Sequence, residues 1–586
     1  MKKTKVVCTI GPASESEETL RKMFKAGCNV CRLNFSHGSH EEHQIKIDRI
    51  KKLRTEMNLP IAIMLDTKGP EIRLKTFANG PVDLKQNQLF TLTTRDIIGD
   101  ETICSITYAN LPAELTAGDR ILIDDGLVEM NVLKIKNGTD IICTVINDGE
   151  ISNHKGLNMP GVKVRLPFLS EKDISDIRFG VKNRVDFIAA SFTRTADDVL
   201  EIRRVLEEEN GNGINIIAKI ENQEGLDNID KILEVADGIM VARGDLGIEI
   251  PPEQIPLAQK RLIQKANIAG KPVITATQML ESMTRNLRPT RAEVTDIANA
   301  ILDGTSAIML SGETAAGQYP VQAVKMMYSI AETTEASLDY EKLLLNSFSK
   351  HALTTTNAIA RATCSTALDL EAHAIIAATS SGDTARAISK FKPKAPIIAV
   401  TYSEEVMQRL SLNWGVYPLL TEKFTSTDEL FESCIKKAKD AGFLTDGDLA
   451  ILTAGIPIGL AGSTNILKIE TVGKILLKGK GAGLKKIITG RVCIAKDSKQ
   501  LLADFKDGDI IVAKETTDEI NLVIDRASAI ITENGNLAGH AAIMGMLLAK
   551  PTVIDAKNAC DILTNGEIIT LNGSTGVVLK GIAKMY

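Results

Sequence analysis

At 586 residues the chain is long enough for roughly four domains of ordinary size, or fewer if one is a large barrel. Apolar residues make up 44% and charged residues 24%, the balance of a soluble globular chain, which excludes disorder, collagen and low complexity as the main state. A net charge of −5 leaves no electrostatic footprint for nucleic acid or an anionic membrane, so any acidic substrate must be held by local charges.

Nine cysteines, scattered and odd in number, point to a reducing compartment rather than a disulfide framework or a structural zinc site. The apolar stretch after Met1-Lys2-Lys3 is cut short by Gly11-Pro12, too early for a signal-peptide core. The longest charge-free apolar stretch, around 449–462, contains Pro457 and is too short to span a bilayer. The expected location is the cytoplasm.

Over residues 1–345 one pattern repeats: an apolar run, a polar or glycine-rich end, then an amphipathic helical stretch. The runs are 5–10, 29–36, 61–67, 185–192, 214–221, 238–245, 272–277 and 307–313, with helices expected over segments such as 16–26, 41–57, 196–209 and 256–269. Eight such units in series predict an α/β fold with a closed parallel (β/α)8 TIM barrel, whose strands are buried on both faces and read as continuous apolar runs.

The third unit breaks the rhythm. Residues 70–169 carry turn signals at Asn79-Gly80, Asp125-Gly126, Asn137-Gly138 and Asp148-Gly149, with alternating β-branched runs between them. They read as a small inserted β-barrel lid domain, and removing them leaves about 245 residues in 1–69 and 170–345, close to the usual barrel length. Residues 346–472 return to a strand–helix pattern and predict an open α/β regulatory domain. The stretch Lys478-Gly479-Lys480-Gly481-Ala482-Gly483 reads as a linker and is a poor dinucleotide fingerprint, and 473–586 form a further C-terminal unit.

Barrel active sites lie at the C-terminal strand ends, which places Arg32, Asn34, Ser36, His37, Asp66, Thr67, Ser191, Lys219, Glu221, Asp245, Thr277 and Glu313 on one face. Cations, carboxylates and hydroxyls converging there suit phosphoryl transfer, which asks a protein for positioning and charge stabilisation. Glu221 and Asp245, on adjacent strands, suit a hard divalent ion; Lys219 lies two residues from Glu221 on the same side of the strand; Arg32 offers a fork for phosphate. Asn34, Ser36, Asp66 and Thr67 are a second oxygen group better matched to a monovalent cation. Each residue taken singly reads equally well as a strand-end cap, and Glu221–Lys219 as a structural ion pair; it is the convergence that argues for chemistry. Lys155, in the glycine-asparagine segment closing the insertion, is either solvated or reaches a nucleotide phosphate from a lid.

At these residues the chain resembles pyruvate kinase. The resemblance covers about 1–472 and is carried by CTIGPAS (8–14), RLNFSHG (32–38), LDTKGPEIR (65–73), KGLNMPG (155–161), KIEN (219–222), MVARGDLGIEIP (240–251), TATQMLESM (275–283), PTRAEVTD (289–296) and IMLSGETAAGQYP (308–320). It implies phosphoryl transfer from phosphoenolpyruvate to ADP, giving pyruvate and ATP, in a cytoplasmic homotetramer. By position it implies Glu221 and Asp245 as ligands of Mg²⁺ (or Mn²⁺), and Asn34, Ser36, Asp66 and Thr67 as the K⁺ site. Catalysis would fall to Lys219, Arg32 and Thr277, with substrate carboxylate held by Gly244, Asp245 and Thr277 and nucleotide phosphates by Arg32, His37 and Lys155. Glu71 matches the K⁺-dependent branch, where the independent branch has lysine.

Thr379, Ser380, Ser381, Gly382 and Thr384 follow a strand and open a helix, an ordinary cap or a phosphate nest. By resemblance they are the allosteric phosphosugar site, but Asp383 stands where bisphosphate users carry arginine, which favours a sugar monophosphate or AMP. The tail segments 531–553 and 563–578 resemble the swivelling phosphohistidine domain of phosphoenolpyruvate-utilising enzymes, with His540 on the phosphorylated position. Ala538 replaces the usual threonine and no ATP-grasp partner is present, so His540 is read as a retained structural or regulatory residue. The competing readings are a Mg²⁺-dependent barrel aldolase or lyase on pyruvate-like enolates, and a catalytically silent phosphometabolite sensor.

Overall fold

The computed structural model describes residues 1–347, 354–424, 426–456, 464–473, 475–495, 501 and 503–581. Pro457 lies outside the described residues, and the expected boundary between the barrel and the following domain, at 345/346, falls within the helix Tyr340–Ser347. The chain divides into two compact units, residues 1–352 with 403–418, and 353–402 with 419–586.

In the first unit, eight strands close into a parallel barrel: β1 (Lys5–Thr9), β2 (Val30–Asn34), β3 (Ala62–Asp66), β4 (Phe187–Ala190), β5 (Asn215–Ile220), β6 (Gly238–Ala242), β7 (Val273–Ala276) and β8 (Ala307–Leu310). The strands are buried along nearly their whole length because each has two apolar faces. Val7, Val30, Ala62, Met64 and Phe187 fill the barrel's interior, while their neighbours Cys8, Cys31, Ile63 and Leu65 pack outward under the helices.

The helices begin where capping chemistry starts them. Ser39, Ser170, Thr195 and Thr290 each take an N-cap position, with a side-chain bond to the third residue's N–H and a reciprocal carboxylate, giving helices His40–Glu56, Glu171–Lys182, Ala196–Glu208 and Arg291–Asp303.

The insertion folds as a seven-stranded sheet and a two-stranded ribbon with a core of its own. The turn at Asn137-Gly138 has both residues at positive φ (55° and 68°), the hairpin geometry that its asparagine-glycine pair favours. Residues 403–418 were not distinguishable in sequence from their neighbours. Leu412 joins the barrel's interior cluster, Tyr417 donates to the Lys2 carbonyl at 2.7 Å, and Lys5 Nζ donates to the Val416 carbonyl.

In the second unit Ala374–Ala378, Ile397–Thr401 and Leu449–Gly455 pair in parallel, with Thr464–Thr471 antiparallel to the last. The tail forms an eight-stranded sheet. The glycine-lysine stretch expected as a linker is instead part of it, as strands Ile475–Lys478 and Lys480–Gly483. Its glycines serve close packing: a Cβ on Gly479 would collide with the Ile554 carbonyl, and one on Gly481 with that of Gly573. Among the described residues no helix is long and apolar enough to cross a membrane.

Candidate active site at the barrel's C-terminal end

Parallel register fixes which strand ends meet. Asn34 pairs with Asp66, Asp66 with Ala189, and Lys219 with Met240, so the polar residues closing β2, β3, β4 and β5 share one rim. Lys219 is its hub, 8% exposed. Its ammonium donates to Ser191 Oγ at 2.7 Å and Asp66 Oδ1 at 3.1 Å, and lies 3.0 Å from Glu221 Oε1. Burial by itself would lower the Lys219 pKa, but Asp66 and Glu221 outweigh it and hold the ammonium above its ordinary value.

Arg32 Nε donates to the other oxygen of Asp66 at 2.6 Å, and its Nη1 to Thr9 Oγ1 at 2.9 Å. Burial works against the Asp66 carboxylate, yet Arg32 and Lys219 together keep its pKa below the usual range. Both cations are thus anchored on one carboxylate. Glu221, 1% exposed, is the opposite case. Burial pushes its pKa up to about 7, Lys219 opposes, and Asp245 adds to the rise, although the Phe192 N–H donates to Oε2 at 2.6 Å.

Ser191 is the residue that the sequence reading left unassigned. Its hydroxyl accepts from Lys219 and lies within donating distance of the Thr67 carbonyl (2.7 Å) and Asp66 Oδ1 (3.0 Å), joining three strand ends. The signal was its place at the close of β4. Asn34 Oδ1 accepts from the Ser36 N–H at 3.1 Å, and Thr67 Oγ1 accepts from the Ser191 N–H at 3.2 Å, so this oxygen group is ordered around the same rim.

Across the mouth, Thr277 sits at φ 67°, a conformation that β-branched residues rarely adopt. Arg243 Nη2 holds its carbonyl at 2.7 Å, and Arg243 is in turn paired with Asp296 at 2.7 Å. Thr277 Oγ1 accepts from the Gly244 N–H at 2.7 Å, so that amide is engaged by Thr277 itself. Asp245 follows in the first turn of the helix Arg243–Glu249.

The lid and barrel enclose a cavity of ≈ 680 Å³, lined among others by His37, Glu71, Asp125, Lys155, Asn222 and Asp245. Lys155 reaches it from the lid, half-buried and paired with Asp124 at 2.8 Å. Burial raises the pKa of Asp125, with further contributions from Asp245 across the cleft and from neighbouring Asp124. His37 is exposed on the opposite wall.

Comparison with known proteins bears directly on this constellation. Residues 1–324 match the profile of the pyruvate kinase barrel domain, and residues 357–470 that of the pyruvate kinase alpha/beta domain. The chain belongs to the pyruvate kinase family. It is 49% identical over 586 residues to the pyruvate kinase of Bacillus licheniformis and 48% identical over 586 residues to that of Sporosarcina psychrophila, with 100% of both chains covered in each case. A crystal structure of a pyruvate kinase from Cryptosporidium parvum superposes with TM-score 0.77 at 41% identity, covering 80% of this chain and 96% of that one. As a pyruvate kinase family member the chain is a phosphotransferase. Residues 505–576 match the mobile domain of PEP-utilising enzymes.

The remaining expected residues lie in the second unit. In the alpha/beta domain, Thr379 Oγ1 accepts from the Gly382 N–H at 2.8 Å, and Gly382 is at φ 90°. Ser381 Oγ donates to Asp383 Oδ2 at 2.7 Å, and Ser380 is half-buried beside it. Thr384 faces away from this turn, its hydroxyl bonded to that of Thr464 at 2.7 Å. In the tail, His540 Nδ1 lies 2.8 Å from Thr516 Oγ1 and Nε2 3.1 Å from Asp518 Oδ1. Finally, Cys28-Asn29-Val30-Cys31 has C-x-x-C spacing, overlooked in the sequence; both thiols are buried in the outer barrel core.

Proposed function

We propose that the chain transfers the phosphoryl group of phosphoenolpyruvate to ADP. The phosphorus–oxygen bond to the enol breaks, an oxygen of the ADP β-phosphate takes the phosphoryl group to give ATP, and the enolate accepts a proton at its methylene carbon to give pyruvate. The observation that carries this reading is the double anchoring of Arg32 and Lys219 on Asp66, which holds two cations side by side where a dianionic phosphate must bind.

Arg32 clamps the phosphoryl oxygens, and Lys219 balances charge as the group leaves and the enolate forms. Thr277 and the Gly244–Asp245 segment orient the substrate carboxylate, Gly244 acting through the bond from its N–H to Thr277 Oγ1. Glu221 and Asp245 would hold Mg²⁺ or Mn²⁺, whose charge stabilises the enolate and phosphate oxygens together. The fit rests on the donor set: Glu221, a carboxylate 1% exposed at the end of its strand, and Asp245, in the first turn of the helix after the neighbouring strand, supply the hard oxygens that such an ion takes. Asn34, Ser36, Asp66 and Thr67 would hold K⁺: neutral oxygens with one carboxylate already shared with cations suit a single positive charge. His37 and Lys155, which line the cleft, meet the nucleotide phosphates there; Arg32, outside its lining, meets them from the rim.

The same reading divides the chain into a catalytic barrel (1–69 and 170–345), a lid (70–169), a regulatory domain (346–472) and a tail (473–586), assembled as a cytoplasmic homotetramer. Its effector is a sugar monophosphate or AMP at Thr379–Gly382. Asp383, held by Ser381 at 2.7 Å and Arg386 at 2.6 Å, places a carboxylate where a second phosphate would be repelled. His540, tied to Thr516 and Asp518, serves structure or regulation. A coupled assay of pyruvate formation from phosphoenolpyruvate and ADP, with Mg²⁺ and K⁺, tests the reaction; no pyruvate above background would refute it.

A further inference from the structure

The lid is joined to the barrel by two chain crossings, one leaving after Gly69 and one returning at Ser170, and a single side chain touches both. Asp173 is fully buried in the first turn of the helix Glu171–Lys182. Its Oδ1 accepts from the N–H groups of Lys68 and Gly69, each at 3.1 Å. Its Oδ2 accepts from the Ser170 N–H at 3.1 Å and the Ser170 hydroxyl at 2.5 Å. The second pair is the capping box that starts the helix; the first has no part in capping, because Lys68 and Gly69 lie 105 and 104 residues away in the chain.

The outgoing crossing is also seated on the catalytic rim. Gly69 has φ 73°, and a Cβ there would lie 2.9 Å from Ser191 Cβ and 3.1 Å from the Phe192 ring. Ser191 is the hydroxyl bonded to Lys219, and Phe192 supplies the N–H bonded to Glu221. The pinned crossing therefore presses against the two residues that hold the hub.

We infer that Asp173 is the hinge pin of the lid, a positioning residue whose carboxylate locks the outgoing and returning crossings together and seats them on Ser191 and Phe192. Four charge-assisted hydrogen bonds to one buried carboxylate make a stiff joint. The lid can then change its attitude only as a body about Lys68–Gly69 and Ser170, which carries Lys155 towards or away from the nucleotide as a unit. Beyond the joint, Asn158 bonded to Glu249 at 3.1 Å and Arg194 bonded to the Val164 and Leu166 carbonyls at 3.1 and 3.0 Å steady the lid against the barrel.

This inference rests on the proposed phosphoryl transfer for its kinetic arm and is tested in the full chain with Asp173→Asn and, as a milder variant, Ser170→Ala. Asparagine keeps one acceptor oxygen and loses the other; alanine removes the hydroxyl and leaves the carboxylate. Loss of one bond to a buried charge corresponds to about a tenfold change. The expected result is a KM for ADP raised about tenfold in Asp173→Asn, and less in Ser170→Ala, with the equilibrium affinity for phosphoenolpyruvate in Mg²⁺ changed by less than about threefold, because Arg32 and Lys219 keep their own bonds to Asp66 when the crossing against Ser191 and Phe192 loosens. Hydrogen exchange should speed up at the amides of residues 68, 69 and 170 in both variants. Wild-type KM for ADP with wild-type exchange at those amides would overturn the inference. So would an equal loss of phosphoenolpyruvate and ADP affinity, the mark of a generally loosened barrel. A wild-type chain that makes no pyruvate would contradict the reaction instead, and the exchange measurement alone would then decide the hinge.

Discussion

Removing one hydroxyl, by Ser191→Ala, tests how the hub works. Ser191 Oγ accepts from Lys219 at 2.7 Å and lies 2.7 Å from the Thr67 carbonyl and 3.0 Å from Asp66 Oδ1. Without it Lys219 keeps Asp66 at 3.1 Å and Glu221 at 3.0 Å, but loses its shortest contact and the link that orders those acceptors. A hydrogen bond to a buried charged group contributes about 1.5–3 kcal/mol, and about 1.4 kcal/mol is tenfold in rate, so kcat should fall by roughly ten- to a hundredfold. Arg32 is bonded to Asp66 and Thr9, not to Ser191, so the KM for phosphoenolpyruvate should stay within about threefold. Steady-state pyruvate formation with saturating ADP, Mg²⁺ and K⁺ reads both parameters. A kcat within about twofold of wild type would refute the reasoning, because Asp66 and Glu221 alone would then fix the ammonium.

Four further outcomes are expected. Activity in Mg²⁺ should need K⁺, and full activity with only a bulky organic cation would defeat the assignment of Asn34, Ser36, Asp66 and Thr67. Arg243→Lys should lower phosphoenolpyruvate affinity by about tenfold, since a lysine cannot bond both the Thr277 carbonyl and Asp296 as the guanidinium does; binding by calorimetry at fixed Mg²⁺ checks it. Lys5 is buried at the base of the barrel, where burial lowers its pKa to about 7. Its unfolded value lies near 10.4, so stability falls as pH drops from about 10 to 7 and is flat below. Lys5→Met should therefore melt higher than wild type at pH 7 by scanning calorimetry, with the gain shrinking towards pH 10. Incubation with labelled phosphoenolpyruvate should leave no phosphohistidine at position 540, and a chain ending near Val472 should keep its basal rate, whereas label at His540 would make the tail a phosphoryl carrier.

The barrel was legible because parallel strands buried on both faces leave continuous apolar runs; the capping boxes at Ser39, Thr195 and Thr290 are a further local signal that the reading did not use. The candidate site was legible to the extent that barrel chemistry collects at strand ends, which brought Arg32, Asp66, Lys219 and Glu221 together before any coordinates. What escaped depends on contacts between residues far apart in the chain. Ser191 looks like any strand-end serine until register sets it against Asp66 and Lys219, 125 and 28 residues away. Asp173 looks like the closing half of a capping box until Gly69 arrives beside it. Residues 403–418 carry nothing local to show that Leu412 will enter the barrel's interior. The glycines at 479 and 481 look like linker residues, because composition does not distinguish glycine chosen for flexibility from glycine chosen for close approach.

The most direct test of the account is pyruvate formation from phosphoenolpyruvate and ADP by wild type and by Lys219→Met, compared at equal folded protein with Mg²⁺ and K⁺ present. The account predicts a robust wild-type rate and a loss of at least about a thousandfold in the variant, because the ammonium acts on charge that develops in the transition state. A wild-type rate at background, or a Lys219→Met rate within tenfold of wild type, would contradict it.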